Sequence, residues 1–266
     1  MKYIVIDSMK ESGQRAVFLV DHEKYGRCIL KKLPLSGIER ALRECKWQAD
    51  NESPYFPQNL DFGLDETKTF FYIYEEYIEG NTLEACIETF KNDEGKVINL
   101  LLHLIVGLQE LWKEGHIHRD IKPANIICTD DLTPIILDLG ITKFSGEASL
   151  TVGEFVPHTP TYASPEQLNC LRGLITFKTD LFSIGIILLE AYLGKHPFGE
   201  NLEEIKRNIK NGSYTKPENC SESFSKLIDK LLSKEPFKRF RKSENVIDFI
   251  KEHWRDIYEN FTPIRS

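Results

Sequence analysis

The chain has 266 residues, with 34 basic and 41 acidic side chains and a formal net charge of −7. That length holds one large or two-lobed domain with an ample core, and the acidic balance argues against nucleic acid or an anionic membrane as partner. Six cysteines without a Cys-x-x-Cys pair support neither zinc nor a disulfide framework, so reduced, mostly buried thiols in a cytoplasmic protein are expected.

Met1-Lys2-Tyr3-Ile4-Val5-Ile6-Asp7 meets an acid too early for a signal peptide and reads as a strand, as do residues 15–20. A turn at Lys24-Tyr25-Gly26 leads into a third strand at 27–33. Ser36-Gly37-Ile38-Glu39 has the Ser-x-x-Glu form of a capping box and opens a predicted helix through about Asp50. Residues 55–63 and 69–74 read as two further strands, and the chain turns helical from Leu83. Apolar residues recur near the helical period over 97–112, which predicts a core helix. The most apolar window, 181–193, contains Ser183 and Glu190 and falls short of the roughly 20 residues of a membrane span. It reads as a second core helix, with Asp180 as the acid at its N-terminal end.

Between those helices lies Gly115-His116-Ile117-His118-Arg119-Asp120-Ile121-Lys122-Pro123-Ala124-Asn125-Ile126-Ile127. Asp120 and Asn125 stand five apart with Lys122 between them, and Asp138-Leu139-Gly140 closes a short apolar run at 135–137. Two acids, an amide and a lysine on loops beside short strands are the groups needed to hold a polyphosphate and its magnesium. That ion keeps only one or two protein carboxylates and takes its other oxygens from phosphate and water. About twenty weakly periodic residues follow, 141–161, a length that argues for a functional loop.

These motifs resemble those of the eukaryotic-type (Hanks-type) serine/threonine protein kinases, nearly throughout the chain and in the family's order. The Asp120 loop is similar to their His-Arg-Asp catalytic loop, Asp138-Leu139-Gly140 to their Asp-Phe-Gly, and Cys28-Ile29-Leu30-Lys31 to their Val-Ala-Ile-Lys. Lys31 is preferred over Lys32, which strand alternation points to the opposite face. Ala163-Ser164-Pro165-Glu166 resembles the end of their activation segment, and Arg239 the late arginine that pairs with that glutamate. The resemblance implies an α+β, bilobal protein-kinase-like fold in a single domain, 1–266. A small antiparallel β N-lobe with one C-helix would span 1–77 and a larger, mainly α-helical C-lobe 78–266, with the activation segment at about 138–166.

It further implies Mg2+-dependent transfer of the γ-phosphate of ATP to Ser/Thr hydroxyls of proteins, with autophosphorylation. Asp120 would accept the acceptor hydroxyl's proton and Lys122 would stabilise the transferring phosphoryl group. Lys31, held by Glu44, would orient the α- and β-phosphates, and Asn125 and Asp138 would hold the magnesium. Val17, Ile29 and Ile127, with the backbone of Glu76 and Ile78, complete the expected nucleotide site. Asp180 would tie down the backbone of the Asp120 loop, Thr159 would contact that loop, and His118 would pack rather than act as acid or base. Ser145, Ser149 and Thr151 are candidate acceptors of an activating phosphate read by Arg119.

Three departures stand out. The family's phosphate-loop glycines are replaced by Lys10, Ser12 and Arg15; Gln48 occupies an ordinarily apolar position of the C-helix; and Glu75 falls at the gatekeeper position, where a buried acid needs a partner. They support one alternative, a nucleotide-binding pseudokinase; a kinase-fold phosphotransferase acting on a small molecule is the other. Asp-Ile-Lys-Pro and the run from Thr159 to Glu166 favour the serine/threonine protein kinase. Composition decides neither oligomeric state nor protein substrate.

Overall fold

The computed structural model describes residues 3–12, 15–139 and 159–264. Its contacts divide the chain into two compact units: Met1–Glu79 with Ile135–Thr142 and Ile264–Ser266, and Gly80–Pro134 with Lys143–Pro263.

The first unit is built on five strands, β1 (Tyr3–Ser12), β2 (Arg15–His22), β3 (Gly26–Pro34), β4 (Asn59–Leu64) and β5 (Phe70–Glu76), in the order β1-β2-β3-β5-β4. Every neighbouring pair is antiparallel. Alternation along β3 gives the sheet two apolar faces. Cys28 and Leu30 pack with Val20 and Tyr74 on one; Leu33 points to the other, with Phe71 and Ile73. Helix α1 (Ile38–Asp50) covers that second face with Ile38, Ala41 and Cys45, spaced three and four apart as a helical stripe requires.

Two local expectations fail here. The capping box does not form: Leu35–Gly37 is a 3-10 turn, and the N–H of Ile38 bonds to the Leu35 carbonyl, so Ser36 makes no cap. Strand β4 begins at Asn59 rather than Tyr55. Pro54 and Pro57 cannot donate to a ladder; Tyr55 and Phe56 instead fill the core as a buried turn, with Phe56 edge-on to Trp47.

The second unit is mainly helical. It contains α2 (Leu83–Cys86), α3 (Glu94–Lys113), α4 (Pro165–Leu168), α5 (Phe177–Leu193), α6 (Leu202–Asn211), α7 (Glu222–Leu231), α8 (Glu244–His253) and α9 (Arg255–Asn260). Asp93 caps α3 by accepting the Lys96 N–H at 3.0 Å, and the apolar positions read from its sequence are the buried ones. Helix α5 is buried on nearly every side, the mark of a core helix. Thr176 caps its start, and Gly194, at φ 69°, supplies the left-handed residue that ends it. Strands β6 (Asn81–Thr82) and β7 (Ile126–Cys128) pair antiparallel. Gly80 makes this possible, because a Cβ there would lie 2.4 Å from the Cys128 carbonyl oxygen.

The architecture is therefore α+β, an antiparallel sheet unit followed by a helical one. Of the cysteines, Cys28, Cys45 and Cys128 are buried, Cys86 and Cys220 half-buried and Cys170 exposed. Among the described residues, no helix is long and apolar enough to cross a membrane.

Candidate active site

The expected site residues fall in both units. Within the first, Val17 lies opposite Lys31 across β2 and β3, and Lys31 opposite Ile73 across β3 and β5. Arg15, Val17, Ile29, Lys31 and Glu75 therefore share one face of the sheet, the face that carries α1. Lys32 points away and lies over the rings of Tyr3, Phe18 and Phe70, as alternation predicts. The Lys31 ammonium is 2.9 Å from Asp138 Oδ1 and forms a close ion pair with Glu75 Oε2. Arg15 Nη1 donates to Asp138 Oδ2 at 3.0 Å.

The expected pair between Lys31 and Glu44 is not formed. Glu44, on α1, lines the same small cavity as Lys31, Gln48, Asn59 and Glu75. Burial pushes its carboxyl up to about 7, against the pull of Arg15. Burial alone would lower the Lys31 pKa, but Asp138 and Glu75 outweigh it and hold the ammonium above its ordinary value. Burial also raises Glu75, opposed chiefly by Lys31. Gln48 donates its amide to the Pro57 carbonyl at 2.9 Å, so a polar group at this position is satisfied. Glu76 gives its N–H to Gln58, and Ile78 is half-buried.

In the second unit the Asp120 loop is tied down from below and oriented from the side. Asp180 is wholly buried in the first turn of α5. It accepts the N–H groups of His118 (2.9 Å) and Arg119 (2.8 Å) and the indole N–H of Trp112 (2.8 Å). His118 is itself fully buried, in agreement with a packing role. Those bonds hold Arg119 at φ 67°, a conformation rare outside glycine, and so fix the direction in which Asp120 leaves the loop.

The Asp120 carboxylate accepts the Thr159 N–H on Oδ1 at 2.9 Å and the Lys122 ammonium on Oδ2 at 3.2 Å. Lys122 also donates to Thr159 Oγ1 at 2.5 Å, and the Asn125 amide donates to the Asp120 carbonyl at 3.2 Å. Ile127 is half-buried on β7.

Two supports behind this loop were and were not foreseen. The expected Glu166–Arg239 pair is present and buried, bidentate at 2.7 and 2.9 Å, with Thr179 donating to Glu166 at 2.9 Å. Gln167 was missed. It closes a capping box with Ser164 and donates its amide to the Arg119 carbonyl at 2.8 Å. The signal, Ser-x-x-Gln ahead of a short helix, was there to be read. Ser145, Ser149 and Thr151 lie outside the described residues.

Asp138 and Asn125 are oxygen donors of the kind a hard cation takes, and Asp138 retains side-chain exposure of 35%. No cluster of three or more acidic, His or Cys side chains forms a metal site among the described residues. Magnesium bound through phosphate oxygens and one or two carboxylates needs none, so the chemistry of each of these side chains, Asp138 in the first unit and Asn125 in the second, suits the ion.

A model of the protein kinase domain matches residues 16–253. The chain is 30% identical, over 73% of its length, to a protein of Clostridium acetobutylicum named as a probable serine/threonine-protein kinase. It is 27% identical, over 96% of its length, to one so named in Clostridium perfringens. To a serine/threonine-protein kinase of Xenopus laevis it is 34% identical over 78%. It spans 30%, 38% and 48% of those proteins, less than half the length of each. With the domain match covering all but the ends of the chain, and the Asp120 and Lys31 motifs in their places, the chain belongs to the protein kinase domain family.

Proposed function

We propose that the chain is a serine/threonine protein kinase that transfers the γ-phosphate of ATP to Ser/Thr hydroxyls of proteins and to itself. The observation that carries this reading is the Asp120 carboxylate, one oxygen fixed by the Thr159 N–H and the other by Lys122. So oriented, Asp120 accepts the proton of the attacking hydroxyl, and Lys122 offers positive charge to the phosphoryl group in transfer. Lys31 contacts the α- and β-phosphates. Asn125 and Asp138 are the residues that would hold magnesium, which neutralises phosphate charge when bound.

The run from Thr159 to Glu166, which resembles the peptide-positioning end of the family's activation segment, favours a polypeptide acceptor over a small metabolite; Thr159 and Tyr162 line a cavity of about 890 Å³ beside Lys122. The polar departures Gln48 and Glu75 each have a partner, so they give no support to a pseudokinase.

The test is transfer of labelled γ-phosphate from Mg-ATP to the chain and to generic protein substrates, with Asp120→Ala and Asp138→Ala alongside. Transfer by the wild type and by neither variant is expected. No transfer in any sample, with Mg-ATP still raising thermal stability, would replace this reading with a pseudokinase.

A further inference from the structure

The ion pair between Lys31 and Glu75 assigns Glu75 a task that α1 was expected to perform. We propose that Glu75 is the positioning residue for Lys31, the carboxylate that holds its ammonium for phosphate contact, in place of Glu44. The inference rests on the reading of Lys31 as the phosphate-contacting lysine.

The sheet explains why this carboxylate and not the helical one is engaged. Across β3 and β5, Lys31 faces Ile73 and Ile29 faces Glu75. Lys31 and Glu75 are thus diagonal neighbours on one face, a separation that two long side chains span. The register is locked by a ladder running without irregularity from Cys28↔Glu76 to Pro34↔Phe70. Both side chains are buried, at 7% and 9% exposure, so each charge depends on its partner. Lys31 has a second carboxylate in Asp138, but Asp138 also serves Arg15 and is the expected magnesium ligand. Glu75 makes its close ion pair with Lys31, is not an expected magnesium ligand, and reaches Arg15 through its charge. An anchor within the β-ladder holds Lys31 wherever α1 lies, so placement of the lysine is a property of the sheet rather than of helix docking.

The experiment compares Lys31→Met, Glu75→Gln, Glu75→Asp and Glu44→Gln in the full chain. It measures kcat and KM for ATP, affinity for a fluorescent ADP analogue, and thermal unfolding without nucleotide. Glu75→Gln is expected to lower kcat/KM about 10²-fold, the order reached when a positioned group moves by an ångström. Most of that loss should fall in kcat, Glu75→Asp should recover part of it, and Glu44→Gln should lose less. The Lys31→Met/Glu75→Gln double variant should be no worse than Lys31→Met, and their Tm shifts should be non-additive. Should Glu75→Gln not fold, Glu75→Asp carries the test, since it keeps the charge but withdraws it by one methylene; wild-type kcat in that variant overturns the proposal.

Increased activity in Glu75→Gln would make the pair a brake and overturn it too. So would coupling of Lys31→Met to Glu44→Gln instead. Full activity and full nucleotide affinity in Lys31→Met would fail the reading of Lys31 itself, and Glu75 with it, whereas an inactive Lys31→Met beside a silent Glu75→Gln would fail Glu75 alone.

Discussion

Asp180→Asn tests whether the Asp120 loop is held by one buried carboxylate. In the wild type, Oδ2 takes the Trp112 and His118 donors and Oδ1 takes the Arg119 N–H. An asparagine of the same shape offers one acceptor oxygen and one NH2 group. Its best orientation keeps the oxygen on Trp112 and His118 and sets donor against donor at Arg119. An unsatisfied buried N–H costs about 1–3 kcal/mol, and two bonds that lose their charge assistance weaken by about 1 kcal/mol each. Relief of burying a charge offsets part of this, for a net loss of about 2–4 kcal/mol. The freed N–H belongs to Arg119, whose φ of 67° itself costs roughly 1–2 kcal/mol and persists only while its surroundings impose it. The loop should relax there, one residue before Asp120. Urea unfolding should show a lower midpoint at unchanged m-value, and kcat should fall in fully folded protein while KM for ATP holds. An asparagine variant within 1 kcal/mol of wild type and with full kcat would refute the reasoning.

Two further outcomes follow from buried charge. Arg239→Leu leaves Glu166 buried with Thr179 as its remaining side-chain donor. It should cost about 3–5 kcal/mol in urea unfolding, and the added change Glu166→Gln should recover part of that. His103, on α3 and edge-on to Phe261, is depressed by burial to about 4. Its folded pKa lies below its unfolded value near 6.5, so the unfolded chain binds the extra proton first. Its contribution to stability is present above about pH 6.5 and is lost as pH falls toward 4, by about 2–4 kcal/mol. His103→Leu should flatten that part of the stability profile, and an unchanged profile would place the acid sensitivity elsewhere.

What the sequence made legible was what lies contiguous in it. The Asp120 loop packs its acid, lysine and amide within six residues, and the helices before and after it announce themselves by period and by buried stripe. The failures are local competitions that a pattern does not weigh. Ser36 lost its cap to a 3-10 turn that already satisfied the Ile38 N–H. The strand read from Tyr55 lost its first residues to two prolines standing in plain view. Contacts between distant positions were legible only where the family resemblance supplied both ends, as with Glu166 and Arg239. Arg15 and Asp138, 123 residues apart, carried no such signal.

The same limit explains why two departures read as defects one at a time. An arginine in place of a phosphate-loop glycine and an acid at the gatekeeper position each look like decay of a nucleotide site. On the folded sheet they share a face and a field: Asp138 and Glu75 both stabilise the Arg15 cation, and Arg15 in turn lowers Glu75. Without them the cluster would hold Lys31 against Glu44 and Asp138, one cation and two carboxylates. With them it holds two cations and three carboxylates, and the formal balance is unchanged. Glu75 alone would set a third carboxylate beside a single buried lysine, which is costly in so enclosed a place, and Arg15 supplies the compensating cation. The two changes are therefore one change electrostatically, and it moves the Lys31 anchor from the helix to the sheet.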